Sequence, residues 1–199
     1  MKYRQAFTLG LLACSLPLSA AAQSDAPKAV VQNMNMSTEQ PEPTEAQKSF
    51  DAMKTFAGEW EGPVTIPEMP GMDDGKPMRV TMRVTSRGHV IVHEFQEADK
   101  PLDATKYDHP VTMLYVDGDK LDLIHYCDAG NRPHMIGKIS PDGKTVDFTL
   151  VDVSGSLTRG HMQHAAFTFI DANHHTEDWT YAMPGDKLMH AHFTVHRVN

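Results

Sequence analysis

From Trp60 onward the chain alternates apolar and polar residues in short runs, closed again and again by Gly, Asp, Asn or Pro. That pattern limits the fold more than any other feature. A period of two belongs to strands with one buried face, and an amphipathic helix cannot use it. Strands are predicted near residues 59–66, 78–87, 89–96, 111–116, 119–127, 133–139, 145–152, 164–170, 175–183 and 188–197. Asp117-Gly118, Pro141-Asp142-Gly143 and Pro184-Gly185-Asp186 supply residues that accept a positive φ or pre-set a bend, so neighbouring strands are joined by hairpins and run antiparallel. Consecutive hairpins in such number close most easily into an up-and-down barrel, which leaves no exposed edge. The expected fold class is all-β, an antiparallel barrel of about ten strands preceded by one short helix.

The helix is marked by Thr44-Glu45-Ala46-Gln47, a capping box just after Pro43, followed by Ala46, Phe50, Met53 and Ala57 at helical spacing. It is predicted over about 45–57. Upstream, Gln23 to Glu42 is rich in Gln, Asn, Ser, Pro and Glu without sustained periodicity and reads as a flexible tether. Lys2 and Arg4, the apolar stretch Ala6 to Leu18 and the small residues Ala20-Ala21-Ala22 before Gln23 have the order of a cleaved secretory signal. Leu11-Leu12-Ala13-Cys14 competes as a lipoprotein box, with Leu12 a poor residue for it. The expected organisation is a signal peptide at 1–22, a linker at 23–43 and a barrel domain at 44–199, in a protein of the periplasm or secreted. The apolar stretch is shorter than the roughly 20 residues that span a bilayer.

Eighteen basic against 26 acidic residues give a formal charge of −8, and cleavage would remove Lys2 and Arg4 but no acid. Such a surface repels phosphate, which sets nucleic acid and anionic membranes aside as partners. Cleavage would also remove Cys14, leaving Cys127 alone, so no internal disulfide can form and the fold must rest on packing.

Gly58-Glu59-Trp60 at the helix-to-strand junction resembles the first strand of lipocalin and wider calycin barrels. In those barrels a basic residue on the final strand packs across the first-strand Trp, and Arg197 stands where that residue is expected. His125-Tyr126-Cys127, Gly130-Asn131-Arg132-Pro133-His134-Met135, Gly160-His161-Met162 and Glu177-Asp178-Trp179 resemble a group of uncharacterised exported bacterial proteins with a calycin (lipocalin-like) β-barrel, over roughly 50–197. That group has no settled activity to transfer. More distantly the chain is similar to nitrobindin-like heme-binding barrels, whose last strand carries a His seven residues before a terminal basic residue. His190 stands seven before Arg197 here, and the resemblance implies His190 as an iron ligand.

Twelve His and thirteen Met also raise the question of metal. His190, His192 and His196 share one strand face and Ala191, Phe193 and Val195 the other. His190 and His192 are then about 7 Å apart at Cα, near enough to share a Zn²⁺ or Cu²⁺ ion if that face turns inward, whereas outward they form a polar stripe over an apolar strand face. His134, His161 and His125 can meet at one barrel mouth, where imidazole and thioether would suit copper or heme. His125 and Cys127 share the face of Leu121 and Leu123 and are expected inside. They read either as a thiolate–imidazole pair, a metal or heme site, or as a buried thiol beside a hydrogen-bonded His. His174-His175 follows a turn and is expected exposed, and the Asp residues of hairpins and strands, Asp122 among them, are expected on a solvated face.

No His-Glu-x-x-His, Cys pair, Gly-rich phosphate loop or Gly-x-Ser-x-Gly elbow appears in the sequence, and no closely paired set of carboxylates suggests glycoside hydrolysis. The expected function is a barrel that holds a small, mostly apolar molecule without catalysis, lined by Phe148, Trp179 and Tyr181 with His125 and Cys127. A heme or copper protein with His ligands, and a structural or interaction module of the envelope, are the alternatives.

Overall fold

The computed structural model describes residues 42–71 and 77–198. The expected signal peptide, Cys14 and the expected tether before Glu42 lie outside these residues. Among the described residues the one α-helix, α1 Glu45–Lys54, starts with the N-cap half of the capping box, the Thr44 hydroxyl accepting from the Gln47 amide at 3.1 Å, while the Gln47 side chain turns to Asp51. It stops short of residue 57 because the amides of Thr55, Phe56 and Ala57 bond three residues back, to Ala52, Met53 and Lys54. That tightening ends the α-helical turn. Among the described residues no helix is long and apolar enough to cross a membrane.

Eleven strands follow: β1 Gly58–Gly62, β2 Val64–Thr65, β3 Met78–Thr85, β4 Val90–Glu97, β5 Val111–Asp117, β6 Lys120–Tyr126, β7 Arg132–Ile139, β8 Thr145–Ser154, β9 His161–Asp171, β10 His174–Met183 and β11 Lys187–Val198. β1 and β3 through β11 pair antiparallel in chain order, and β11 returns to β1, so ten strands close into a barrel. The expected first strand, 59–66, is interrupted at Pro63, which has no amide to donate. β1 and β2 nevertheless keep one register on β11, with Glu61 opposite His196 and Val64 opposite Phe193. Pairing of β1 with β3 ends at Gly62 opposite Met78, while β11 runs on to Lys187. Among the described residues the wall therefore opens at this end, and a mouth forms.

β9 begins at His161, three residues before its expected start. Its register against β10 shifts between the pairs His164–Thr180 and Met162–Tyr181, which leaves Gln163 as an extra residue. Such a bulge brings both Met162 and Ala165 inward although three positions separate them.

The opposite end is plugged. Phe50 and Met53 of α1 are buried with Leu114, Leu121, Met135, Phe148 and Phe167. The Ser49 hydroxyl donates to the Glu45 carbonyl and accepts from the Ile139 amide at 3.1 Å, tying the helix to β7. Phe148 leaves no room for a side chain at Gly137, where a Cβ would lie 2.4 Å from its ring.

Closure of the barrel follows the expected pairing. Trp60 sits opposite Arg197, whose guanidinium lies 4.0 Å over the indole and donates to the carbonyls of Ala57, Ala172 and Thr55. Trp60 in turn donates to the Phe56 carbonyl at 2.8 Å. Gly58 has φ 145°, and a Cβ there would strike the Arg197 guanidinium at 2.1 Å. Arg197→Met keeps the stem but removes the cation and its donors, and is expected to cost about 2 kcal/mol in urea unfolding, mostly from the cation–π contact and the unpaired carbonyls. An unchanged midpoint would mean that the closure stands without it.

Candidate functional site: a barrel mouth over a buried polar floor

At the open end lies a cavity of about 490 Å³. Its walls come from the strands that frame the gap: Val64 of β2, Met78 of β3, Phe95 of β4, Met162 of β9, Trp179 and Tyr181 of β10, and Met189, Ala191 and Phe193 of β11. Glu97 and Lys100 stand among these apolar groups, 3.7 Å apart. The alternation of β11 turns Ala191 and Phe193 to the cavity and leaves the intervening His192 exposed.

Beneath the cavity the barrel interior turns polar. On β10 the inward positions are His175, Glu177 and Trp179, all buried, with both His175 and Glu177 wholly so. Glu177 reaches across the barrel to His93 of β4. The Nε2 of His93 lies 3.2 and 3.0 Å from its two carboxylate oxygens, the Nε2 of His175 lies 3.0 Å from Oε1, and the Trp179 indole donates to Oε2 at 3.0 Å. Burial alone would raise the Glu177 carboxyl. Attraction to His93 and the hydrogen bonds from His175 and His93 outweigh it and hold the group well below the usual carboxylate range. An ionised carboxylate only accepts, so each of these Nε2 atoms carries its hydrogen.

Two strands from His93, across Thr112 of β5, lies His125 of β6. Its Nδ1 is 2.9 Å from the Thr112 hydroxyl. Burial first, and a Coulombic contribution from His93 second, pull the imidazole down to about 3, so His125 is neutral at physiological pH. The rings of His93 and His125 each lie 5.5 Å from that of Trp179. Trp179 thus belongs both to the cavity wall and to the floor.

The other candidates lie elsewhere. Phe148 packs in the plugged half against Phe167. Cys127 follows β6 and lines a surface depression with Tyr107 and Asp108 instead of entering the barrel, and burial pushes its thiol up. His190 is exposed, its ring bonded at 2.7 Å to Glu68, which it helps to hold down at about 2. His192 pairs with Asp178 at 2.5 Å on the same outer surface. His161 is half-buried beside the β10–β11 hairpin. His134 bridges Asp122 at 2.5 Å and Asp152 at 3.2 Å. Among the described residues no three His, Cys, Asp or Glu side chains are placed to hold a metal ion together. No imidazole lines the cavity, where Met78, Met162 and Met189 are the soft donors. These residues do not fit a heme held in the cavity by His190.

Two further expectations are corrected. His175 is buried, because the turn before β10 puts only His174 on the outer face; and Asp122 is almost wholly buried, covered by His134. The hydrogen bond to Asp122 raises the His134 imidazole above its ordinary 6.5, against burial and with help from Asp152. Its contribution to stability is therefore complete below pH 6.5 and is lost as the pH rises through the raised value. Urea midpoints of wild type and His134→Gln, measured at about pH 5.5 and about pH 8.5, are expected to converge at the higher pH. A gap that widens there would overturn this assignment.

His93, His175 and Glu177 escaped the sequence reading although a signal was present. With Trp179 and Tyr181 inward, the period of two places Glu177 and His175 on the same face. His93 sits between Ile91 and Phe95 in one apolar run.

No family model matches the chain, and none of the curated proteins does. Among solved structures it is similar to Rv2717c from M. tuberculosis, with a TM-score of 0.53, 16% identity, and coverage of 76% of this chain and 98% of that one. The likeness is one of fold alone. A second similar structure is a protein of unknown function from the DUF3598 family of Nostoc punctiforme, with a TM-score of 0.50 and 10% identity over 73% of this chain. The chain spans about half, 48%, of that protein. This likeness, too, is one of fold alone.

Proposed function

We propose that this protein is an exported binding protein whose barrel mouth holds a small, mostly apolar ligand, with no catalytic step required. The observation that carries the reading is the cavity of about 490 Å³, within the size range of small-molecule sites and walled mainly by aliphatic, thioether and aromatic side chains. Support for export comes from the N-terminal pattern of Lys2, Arg4, the apolar stretch and Ala20-Ala21-Ala22. Titration with the neutral apolar dye N-phenyl-1-naphthylamine tests the binding. The expected result is saturable enhancement of dye fluorescence at one dye per protein. Linear, unsaturable enhancement would contradict it.

A further inference from the structure

The apolar cavity does not account for what lies under it. Three buried ring nitrogens have no hydrogen-bond partner: His93 Nδ1, His175 Nδ1 and His125 Nε2. Buried polar atoms without partners are few in folded proteins, and each costs stability that the sequence has not removed. His175 is enclosed by Phe56 and Trp60 toward the helix end. His93 and His125 instead flank Trp179, the residue shared with the cavity.

The protonation of His125 follows from its partner. The Thr112 hydroxyl is fully buried and its side-chain bond is to His125 Nδ1. A buried hydroxyl donates to the acceptor within reach, so Nδ1 accepts and the proton of the neutral ring sits on Nε2. That leaves an unpaired N–H donor within the barrel, two strands from the unpaired Nδ1 of His93. A group able to use the donor must bring an acceptor oxygen. A neutral group enters at the least cost, because a buried ion carries a desolvation penalty and both imidazoles that bond Glu177 are already engaged with it.

We infer that the ligand is an apolar chain or ring system ending in a neutral oxygen group, a hydroxyl or carbonyl, and that it enters head first along Trp179, its oxygen accepting from His125 Nε2 beside His93 and its apolar body remaining in the cavity. This rests on the binding reading above and adds the ligand class and its orientation. Trp179 is suited to guide such a molecule. Its indole N–H is bound to Glu177, so its ring is held in one pose at the cavity wall.

Competition against bound N-phenyl-1-naphthylamine separates the two readings, using 1-decanol and decane as probes on wild type and on the double variant Thr112→Val/His125→Phe. The double variant replaces both partners of one hydrogen bond by apolar groups of similar size, a change that cores tolerate. Should it fail to fold, His125→Phe alone takes its place. The affinity of decanol relative to decane is expected to fall about tenfold in the variant, the worth of one neutral hydrogen bond. An equal ratio in both proteins would mean that the nitrogens serve no ligand, whether or not water reaches them, and overturns the head-first inference while leaving the binding reading intact. Failure of both probes to displace the dye from wild type overturns both.

Discussion

Glu177→Ala is expected to destabilise the protein by about 3–5 kcal/mol, the range found when one partner of a buried ion pair is removed. Three donors lose their acceptor at once: the Nε2 groups of His93 and His175 and the indole N–H of Trp179. None of the three can turn to water, because all sit in the barrel interior. Glu177→Gln keeps one acceptor oxygen but sets an amide N–H against the same donors, so it should fall between wild type and alanine. The pH dependence has a definite sign. The carboxyl is depressed in the fold, so its contribution is complete above its ordinary value of 4.5 and declines as the pH falls toward the depressed one. Urea unfolding near neutral pH and again in acid checks both points. The alanine variant should show a much lower midpoint near neutrality and a weaker loss on acidification than wild type. A loss below about 1 kcal/mol would mean that the network contributes no more than an ordinary neutral hydrogen bond.

Ala191→Trp is expected to weaken dye binding about a hundredfold, or ~3 kcal/mol, while leaving the fold intact. Ala191 pairs with Trp179 across β10 and β11 and faces the cavity between Met189 and Phe193. An indole there grows into existing space, so it blocks the ligand without displacing packed side chains and should hold or raise the melting temperature. Unchanged dye affinity in a folded Ala191→Trp protein would place binding outside the barrel.

These expectations rest on a fold that was largely legible in the sequence, for physical reasons. The capping box at Thr44, the turn residues at Gly118, Gly143 and Gly185, and the run of two-residue periods are local signals, and local chemistry decides them. The match of Trp60 to Arg197 was legible too, because the first and last strands of a closed barrel must meet. Local deviations were harder to read. Pro63 breaks the first strand without shifting its register, and the extra residue at Gln163 changes the strand's inward face with no Gly or Pro to announce it.

The site was legible only in part. Trp179 and Tyr181 line the cavity, and His125 is buried within the barrel. Periodicity relates the positions of one strand to each other, but says nothing about which side chains from opposite walls meet in the middle. Glu177 and His93 are 84 residues apart and touch only because the barrel closes. The three imidazoles of the last strand drew attention by their spacing, yet Phe193 and Val195 claim the interior because burying them is worth more than burying imidazole.

A crystal structure of the protein grown with 1-decanol tests most directly whether the barrel holds its ligand head first. Density is expected for an extended chain within about 4 Å of Phe95, Trp179 and Phe193, with the hydroxyl oxygen below it at hydrogen-bond distance from His125 Nε2. Decanol found only on the outer surface, over a mouth closed by its own side chains, would contradict it.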